Sequence, residues 1–287
     1  MRLLWIAITA VIGIGTVGCG GGQEMSDEEY AGRMADEHRE DSPVPGAAAE
    51  GEPATEVETQ TVTYATIEGN GVSGYLAKPK DGEGPFPGII VIHEWWGLND
   101  NIRAMAEKLA GEGYTALAVD LYGGQVAQDA DGAQQMMQAA MQNVEAANQN
   151  LREAYAYLEA EQQAPRIGTI GWCFGGGWSL NTALLLPDQV DATIIYYGRL
   201  VTDPERLEAL QMPILGIFGA EDSGIPVELV EEFGQALDNL EKDASIHIYE
   251  GAEHAFANPS GTRYKADAAT DAWEKTLTFF EQHLKRS

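Results

Sequence analysis

Three residue types that together make a reactive nucleophile occur in order along the chain, each directly after a β-prone run. The stretch Ile170-Gly171-Trp172-Cys173-Phe174-Gly175-Gly176-Gly177 ends one such run and opens a helical pattern. Its core, Gly-x-Cys-x-Gly, is a strand–turn–helix nucleophile turn with cysteine in place of serine. Such a turn is sharp, and a side chain at either flanking glycine is expected to collide with the neighbouring strand or helix. The thiol of Cys173 is thereby placed at the positive end of the following helix, which favours thiolate over thiol. The competing reading is a buried structural cysteine in a glycine-rich turn.

An orienting acid and then a base should follow the nucleophile. Asp222 closes Phe218-Gly219-Ala220-Glu221-Asp222, and His254 lies in Gly251-Ala252-Glu253-His254-Ala255-Phe256. His254 is expected to take the thiol proton or to hold the thiolate as an ion pair. Asp222 would fix the imidazole tautomer and stabilise its cation. Glu221 is the rival acid, nearer the strand end. An oxyanion needs two backbone N–H groups. One is expected from Phe174, the other from the loop His93-Glu94-Trp95-Trp96-Gly97-Leu98-Asn99, which carries Trp95 and brings Glu94 towards the thiol. The two tryptophans either line a pocket or pack under the loop. Trp96, Tyr122, Phe256 and Asn258 are the substrate-pocket candidates.

The elements that must position these groups alternate between strand and helix. Residues 61–67 and 72–77 read as a hairpin around Glu68-Gly69-Asn70-Gly71. Continuous apolar runs at 88–92 and 114–119 read as buried strands, with further strands at 166–171, 192–197, 214–218 and 244–249. Helical patterns cover 99–110, 133–161, 175–186, 227–240 and 265–284. This alternation predicts an α/β fold, a mostly parallel sheet with helices on both faces, in one domain from residue 61 to 287. Catalytic groups in such sheets stand beyond the carboxyl ends of strands, where all three candidates fall.

The chain has 287 residues, 17 Lys+Arg against 45 Asp+Glu, and a net charge of −28. That sign disfavours nucleic acid and anionic membrane surfaces as electrostatic partners. Two cysteines exclude a disulfide scaffold and a cysteine-only zinc site. The charge is uneven: residues 21–60 hold twelve acids against Arg33 and Arg39, and residues 61–287 carry −19. Residues 1–19 read as a signal segment, with Arg2 before an apolar run too short to span a bilayer. Thr16-Val17-Gly18-Cys19 resembles a bacterial lipoprotein box, so Cys19 is the candidate lipidation site, and a periplasmic or membrane-anchored location is expected. Glycine, proline and acidic residues over 20–60 predict a disordered acidic linker.

The cysteine turn, the 93–99 loop, Asp120-Leu121-Tyr122, Asp222 and the 251–256 segment together resemble the dienelactone hydrolase family of α/β-hydrolases, over roughly residues 61–285. The resemblance implies the α/β-hydrolase fold and a triad of Cys173, Asp222 and His254. It implies that Glu94 contacts the thiol and takes part in its activation on substrate binding. It also implies hydrolysis of dienelactone, an unsaturated cyclic ester, through an acyl-cysteine intermediate without a metal or cofactor. Two arginines that hold a substrate carboxylate in well-known members align here with Gly124 and Asn258, which cannot pair with a carboxylate as a guanidinium does. Arg199 and Arg263 are the possible substitutes. The expected function is hydrolysis of a small carboxylic ester or lactone by a monomer. The alternatives are a thioesterase or peptidase-type acyl hydrolase, or a catalytically silent extracytoplasmic binding protein on the same fold.

Overall fold

The structure, a computed structural model, describes residues 25–41 and 51–285. The signal segment with Cys19 lies outside the described residues, as do 20–24 and 42–50 of the expected linker. Eight strands form one sheet: β1 (Val57–Ile67), β2 (Asn70–Pro79), β3 (Gly88–Ile92), β4 (Thr115–Val119), β5 (Ile167–Trp172), β6 (Ala192–Tyr196), β7 (Ile214–Gly219) and β8 (Ala244–Tyr249), in the order β1-β2-β4-β3-β5-β6-β7-β8. The β1–β2 hairpin and the β2–β4 pair are antiparallel, and every other pairing is parallel. Each residue of β3, β4, β5, β6 and β7 is buried, whichever face it points to, because helices cover the sheet on both sides. This is why their sequences are continuous apolar runs rather than alternating ones. The outer part of β1 alternates little and stays exposed, as an edge strand does.

The helices are α1 (Asp27–Glu37), α2 (Asp100–Gly111), α3 (Ala130–Gln142), α4 (Val144–Ala160), α5 (Phe174–Leu185), the short α6 (Pro204–Leu207), α7 (Val227–Asn239) and α8 (Ala266–Phe280), which ends in a π-turn over Glu281–Lys285. From β3 the chain crosses to β4 on one side and later returns to β5 on the other. The loops leaving β3 and β5 therefore diverge, and a crevice opens at their carboxyl ends. Cys173 follows β5 and Glu94 follows β3, so the crevice receives both.

Three sequence expectations change. The first strand begins at Val57 rather than 61, because it extends to pair Val57 with Pro79. The single helix expected over 133–161 is two, broken at Asn143 (φ −113°, ψ 55°), which caps α3 and starts α4. The expected disordered linker is ordered over its described first part. Ser26 caps α1 by accepting from the Glu29 N–H at 3.2 Å, and three acids occupy the first turn, where the helix dipole favours them. Tyr30, Ala31 and Met34 are buried, and α1 packs against α3.

Candidate active site

Cys173 sits between β5 and α5 with φ 55° and ψ −119°, a strained conformation held by its surroundings. Glycine is required on both sides. A Cβ on Gly171 would stand 2.0 Å from the Gly175 carbonyl oxygen, and one on Gly175 would stand 2.3 Å from that of Ile92. Both flanking glycines are thus closed to any side chain, as expected from the turn. Phe174 is the first residue of α5, so its N–H has no acceptor within the helix ladder and is available beside the thiol.

His254 Nδ1–H donates to Asp222 Oδ2 at 2.8 Å, and both side chains are fully buried. The other Asp222 oxygen accepts from the N–H groups of Gly224 (2.9 Å) and Ile225 (2.8 Å), which locks the carboxylate in place. Glu221, the rival acid, points to solvent. Nε2 of His254 has no hydrogen-bond partner. Burial pushes the His254 pKa down, but the charges of Asp222 and the thiolate outweigh it and hold the pKa well above the ordinary value. Burial raises the Cys173 thiol, yet the His254 charge and the contact from His38 bring it down to about 6. Both shifts run in the direction that favours a thiolate beside an imidazolium.

Glu94 is buried in the loop after β3, and its pKa is pushed up to about 8 by that burial and then by the thiolate charge. It accepts from Asn258 Nδ2 at 2.7 Å, while Asn258 Oδ1 accepts from the Ser260 N–H at 2.8 Å. Asn258 thus orients Glu94 besides lining a cleft of about 510 Å³ with Trp96 and His38. The Glu94 value lies above its unfolded value of 4.5. The stability tied to the protonated form is complete below pH 4.5 and is lost as pH rises through about 8. Glu94→Gln should remove this one-proton slope, about 1.4 kcal/mol per pH unit between those limits. Denaturant melts of both proteins from pH 5 to 8 check it, and identical slopes would refute the protonated glutamic acid.

The pocket candidates separate. Trp95 is fully buried, with Trp96 edge-on against it at 5.0 Å between ring centroids. Phe256 is core beneath the histidine, packed on Tyr197 and Tyr249, which corrects its assignment to the pocket. Tyr122 is buried against His93 and Phe174, and it borders a different cleft, of about 970 Å³, together with Gly124. His93 joins two loops, with Nδ1 2.6 Å from the Glu94 carbonyl oxygen and Nε2 accepting from the Leu121 N–H at 3.1 Å.

The residues that sequence reasoning missed come from the N-terminal segment 25–41. Met34 Sδ lies 3.8 Å from Cys173 Sγ, and His38 Nε2 lies 3.6 Å from it. The His38 ring stacks on Trp95 at 4.4 Å, and its Nδ1 is 2.8 Å from Asp41 Oδ2. Burial raises the Asp41 carboxyl, but hydrogen bonds from His38 and Thr262 and the charge of Arg263 take it down to about 2. Arg263 binds Asp41 at 2.7 Å and Glu37 at 3.0 Å, and Ser223 donates to Glu37. At the other end Arg199 binds Asp27 and the Met25 carbonyl and lies over the Tyr30 ring. Both arginines proposed as carboxylate partners therefore hold acids of the chain itself. The segment leaves Cys173 with no exposed surface.

The sheet, the strained cysteine turn and the His–Asp pair behind it define an α/β-hydrolase. A profile of the "Dienelactone hydrolase family" matches residues 72–284, and the chain belongs to that family. It is 34% identical to the "Putative carboxymethylenebutenolidase" of Saccharolobus solfataricus, over 76% of this chain and 96% of that protein. It is 33% identical to "Protein usf" of Aquifex pyrophilus, over 76% and 97% of the two chains. The crystal structure of a "Putative Dienelactone Hydrolase" from Klebsiella pneumoniae superposes with a TM-score of 0.72 at 28% identity, covering 80% of this chain and all of that one. The chain is accordingly a dienelactone hydrolase-like hydrolase.

Proposed function

We propose that the protein hydrolyses a small carboxylic ester or lactone through an acyl-cysteine intermediate. The observation that carries this is the buried His254–Asp222 pair at 2.8 Å beside a thiol on a strained turn. The Cys173 thiolate attacks the ester carbonyl and forms a tetrahedral adduct. The N–H groups of Phe174 and of the 93–99 loop, at Trp95, take the developing oxyanion. Collapse of the adduct breaks the acyl–oxygen bond, and the His254 imidazolium gives its proton to the departing alkoxide. The same imidazole, now neutral, takes a proton from water, which attacks the thioester and releases the acid with the thiolate restored. A protonated Glu94 places no second negative charge beside the thiolate. The occupied arginines, with Asn258 committed to Glu94, favour a substrate without a carboxylate.

Asp222→Asn keeps the shape and removes the charge that selects the histidine tautomer and stabilises its cation. It is expected to lower kcat on a p-nitrophenyl ester by about 10³–10⁴ with a smaller change in KM. An unchanged kcat would refute the triad. The leader-like residues 1–19 support export with a lipid on Cys19. The mass of the mature N-terminus tests that reading, and an unprocessed Met1 on exported protein would oppose it.

A further inference from the structure

Hydrolysis by a cysteine needs one His–Asp pair, and the structure brings two to the same sulfur. His254 is backed by Asp222 and His38 by Asp41, each through Nδ1 at 2.8 Å. This leaves both Nε2 atoms facing Cys173. The three atoms, His38 Nε2, His254 Nε2 and Cys173 Sγ, all lie within 4.8 Å of one another, and all three residues are buried. His254 Nε2 has no hydrogen-bond partner there. The Met34 thioether stands 3.8 Å from the thiol on the same side as His38, one helical turn away. The second pair adds to the lowering of the thiol, but neither it nor the thioether is needed as the acid or base of ester hydrolysis, and both belong to the segment that covers the site.

The geometry points to a transition-metal site made by Cys173, His38 and His254, with Met34 as a weak fourth ligand, assembled only when residues 25–41 are seated. Thiolate and imidazole select late first-row ions such as zinc and copper over calcium or magnesium. With metal–sulfur and metal–nitrogen bonds near 2.3 and 2.0 Å, a tetrahedral site has a sulfur–nitrogen edge of about 3.5 Å. The Cys173–His38 separation of 3.6 Å meets that edge. The other two separations, within 4.8 Å, need closure of up to about 1.3–1.5 Å, which tilts of the two imidazoles supply. The carboxylate behind each imidazole is the usual support of a metal-bound histidine, fixing the ring and raising its basicity. Two histidines, one thiolate and a distant thioether also form the ligand set of a mononuclear copper centre. On binding, the ion accepts a lone pair from each Nε2 and from the thiolate, and any proton held at either Nε2 leaves to solvent. The nucleophile is then masked and the segment is fastened to it. A chelator reverses both.

The test uses the full chain, stripped of metal and titrated separately with Co²⁺, Zn²⁺ and, under reducing conditions without oxygen, Cu⁺. One equivalent should bind, and Co²⁺ should give a thiolate-to-metal charge-transfer band. Cys173→Ser should abolish that band although Cys19 remains, and His38→Ala should weaken binding at least tenfold. Met34→Leu separates the ions: a loss confined to Cu⁺ assigns copper, and no loss with either assigns zinc. Thermal melts confirm that the variants fold, and protection of wild-type Cys173 from iodoacetamide by Zn²⁺ reads the same site without a substitution. Absence of stoichiometric binding, or an affinity unaltered by His38→Ala, would overturn the site. Occupancy, not turnover, is the readout, so failure here and failure of the acyl-cysteine reading are seen separately.

Discussion

Cys173→Ala is expected to lower hydrolysis of an activated ester by four or more orders of magnitude, to the level set by the oxyanion donors and binding alone. The thiolate is the group that forms the covalent bond, so His254 and Asp222 have no proton to manage once it is gone. The substitution removes one sulfur from a site already enclosed by Met34, His38 and Trp95, and it leaves the flanking glycines untouched. The loss of a single buried sulfur costs stability of about 1 kcal/mol, far less than the effect on rate. Removal of the strained side chain at φ 55° does not relieve the backbone, since alanine also carries a Cβ. Kinetics and a thermal melt on the same preparation separate the two effects. A folded variant with wild-type turnover would end the cysteine mechanism.

Arg263→Ala is expected to expose the active-site thiol. Arg263 joins Asp41 and Glu37, with the three side chains only 13%, 10% and 8% exposed, and it is the chief positive charge beside the His38 end of the segment. Removing it takes the guanidinium from two carboxylates in a nearly dry place, leaving Asp41 with His38 and Thr262 and Glu37 with Ser223. They recover water only if the segment lifts. Breaking a buried pair costs about 3–5 kcal/mol, and the partial access to water here reduces that to about 1.4–3 kcal/mol. The open population should then rise roughly ten- to a hundredfold. Because Cys173 is reached only in the open form, the rate of iodoacetamide labelling should rise by the same factor. The sheet lies apart from these contacts, so the global melting temperature should change little. Met34→Glu, which forces a carboxylate against the thiolate, should act in the same direction. Labelling rates equal to wild type in both variants would show that the segment does not limit access.

The parts of the site that the sequence revealed are those in which backbone geometry dictates residue type. Gly171 and Gly175 face carbonyl oxygens at distances that admit no Cβ, and that requirement makes the cysteine turn visible. Asp222 and His254 were found because each lies within a few residues after a strand, β7 and β8 respectively. The distinction between Asp222 and Glu221 needed the structure, since exposure separates them and order along the chain does not. Helix α1 was obscured by its surroundings. Glycine, proline and alanine on either side, and twelve acids over residues 21–60, lower the average to that of a solvated tail. Its signals were nonetheless local and present: Ser26 and Glu29 in a capping pattern, then Tyr30, Met34 and His38 at intervals of four along one face. The break at Asn143 had no comparable mark, as no glycine or proline interrupts the Ala- and Gln-rich pattern there. Phe256 read as a pocket residue from its place beside the histidine, whereas the turn at 255 sends it into the core.

Intact-protein mass spectrometry after rapid acid quenching of the enzyme with p-nitrophenyl acetate tests the central claim most directly. The account predicts a population carrying one acetyl group, mapped by proteolysis to Cys173, that forms and decays on the timescale of turnover and is absent from Cys173→Ala. Turnover by the wild-type protein with no acyl adduct, or with the acetyl group mapped to another residue, would contradict it.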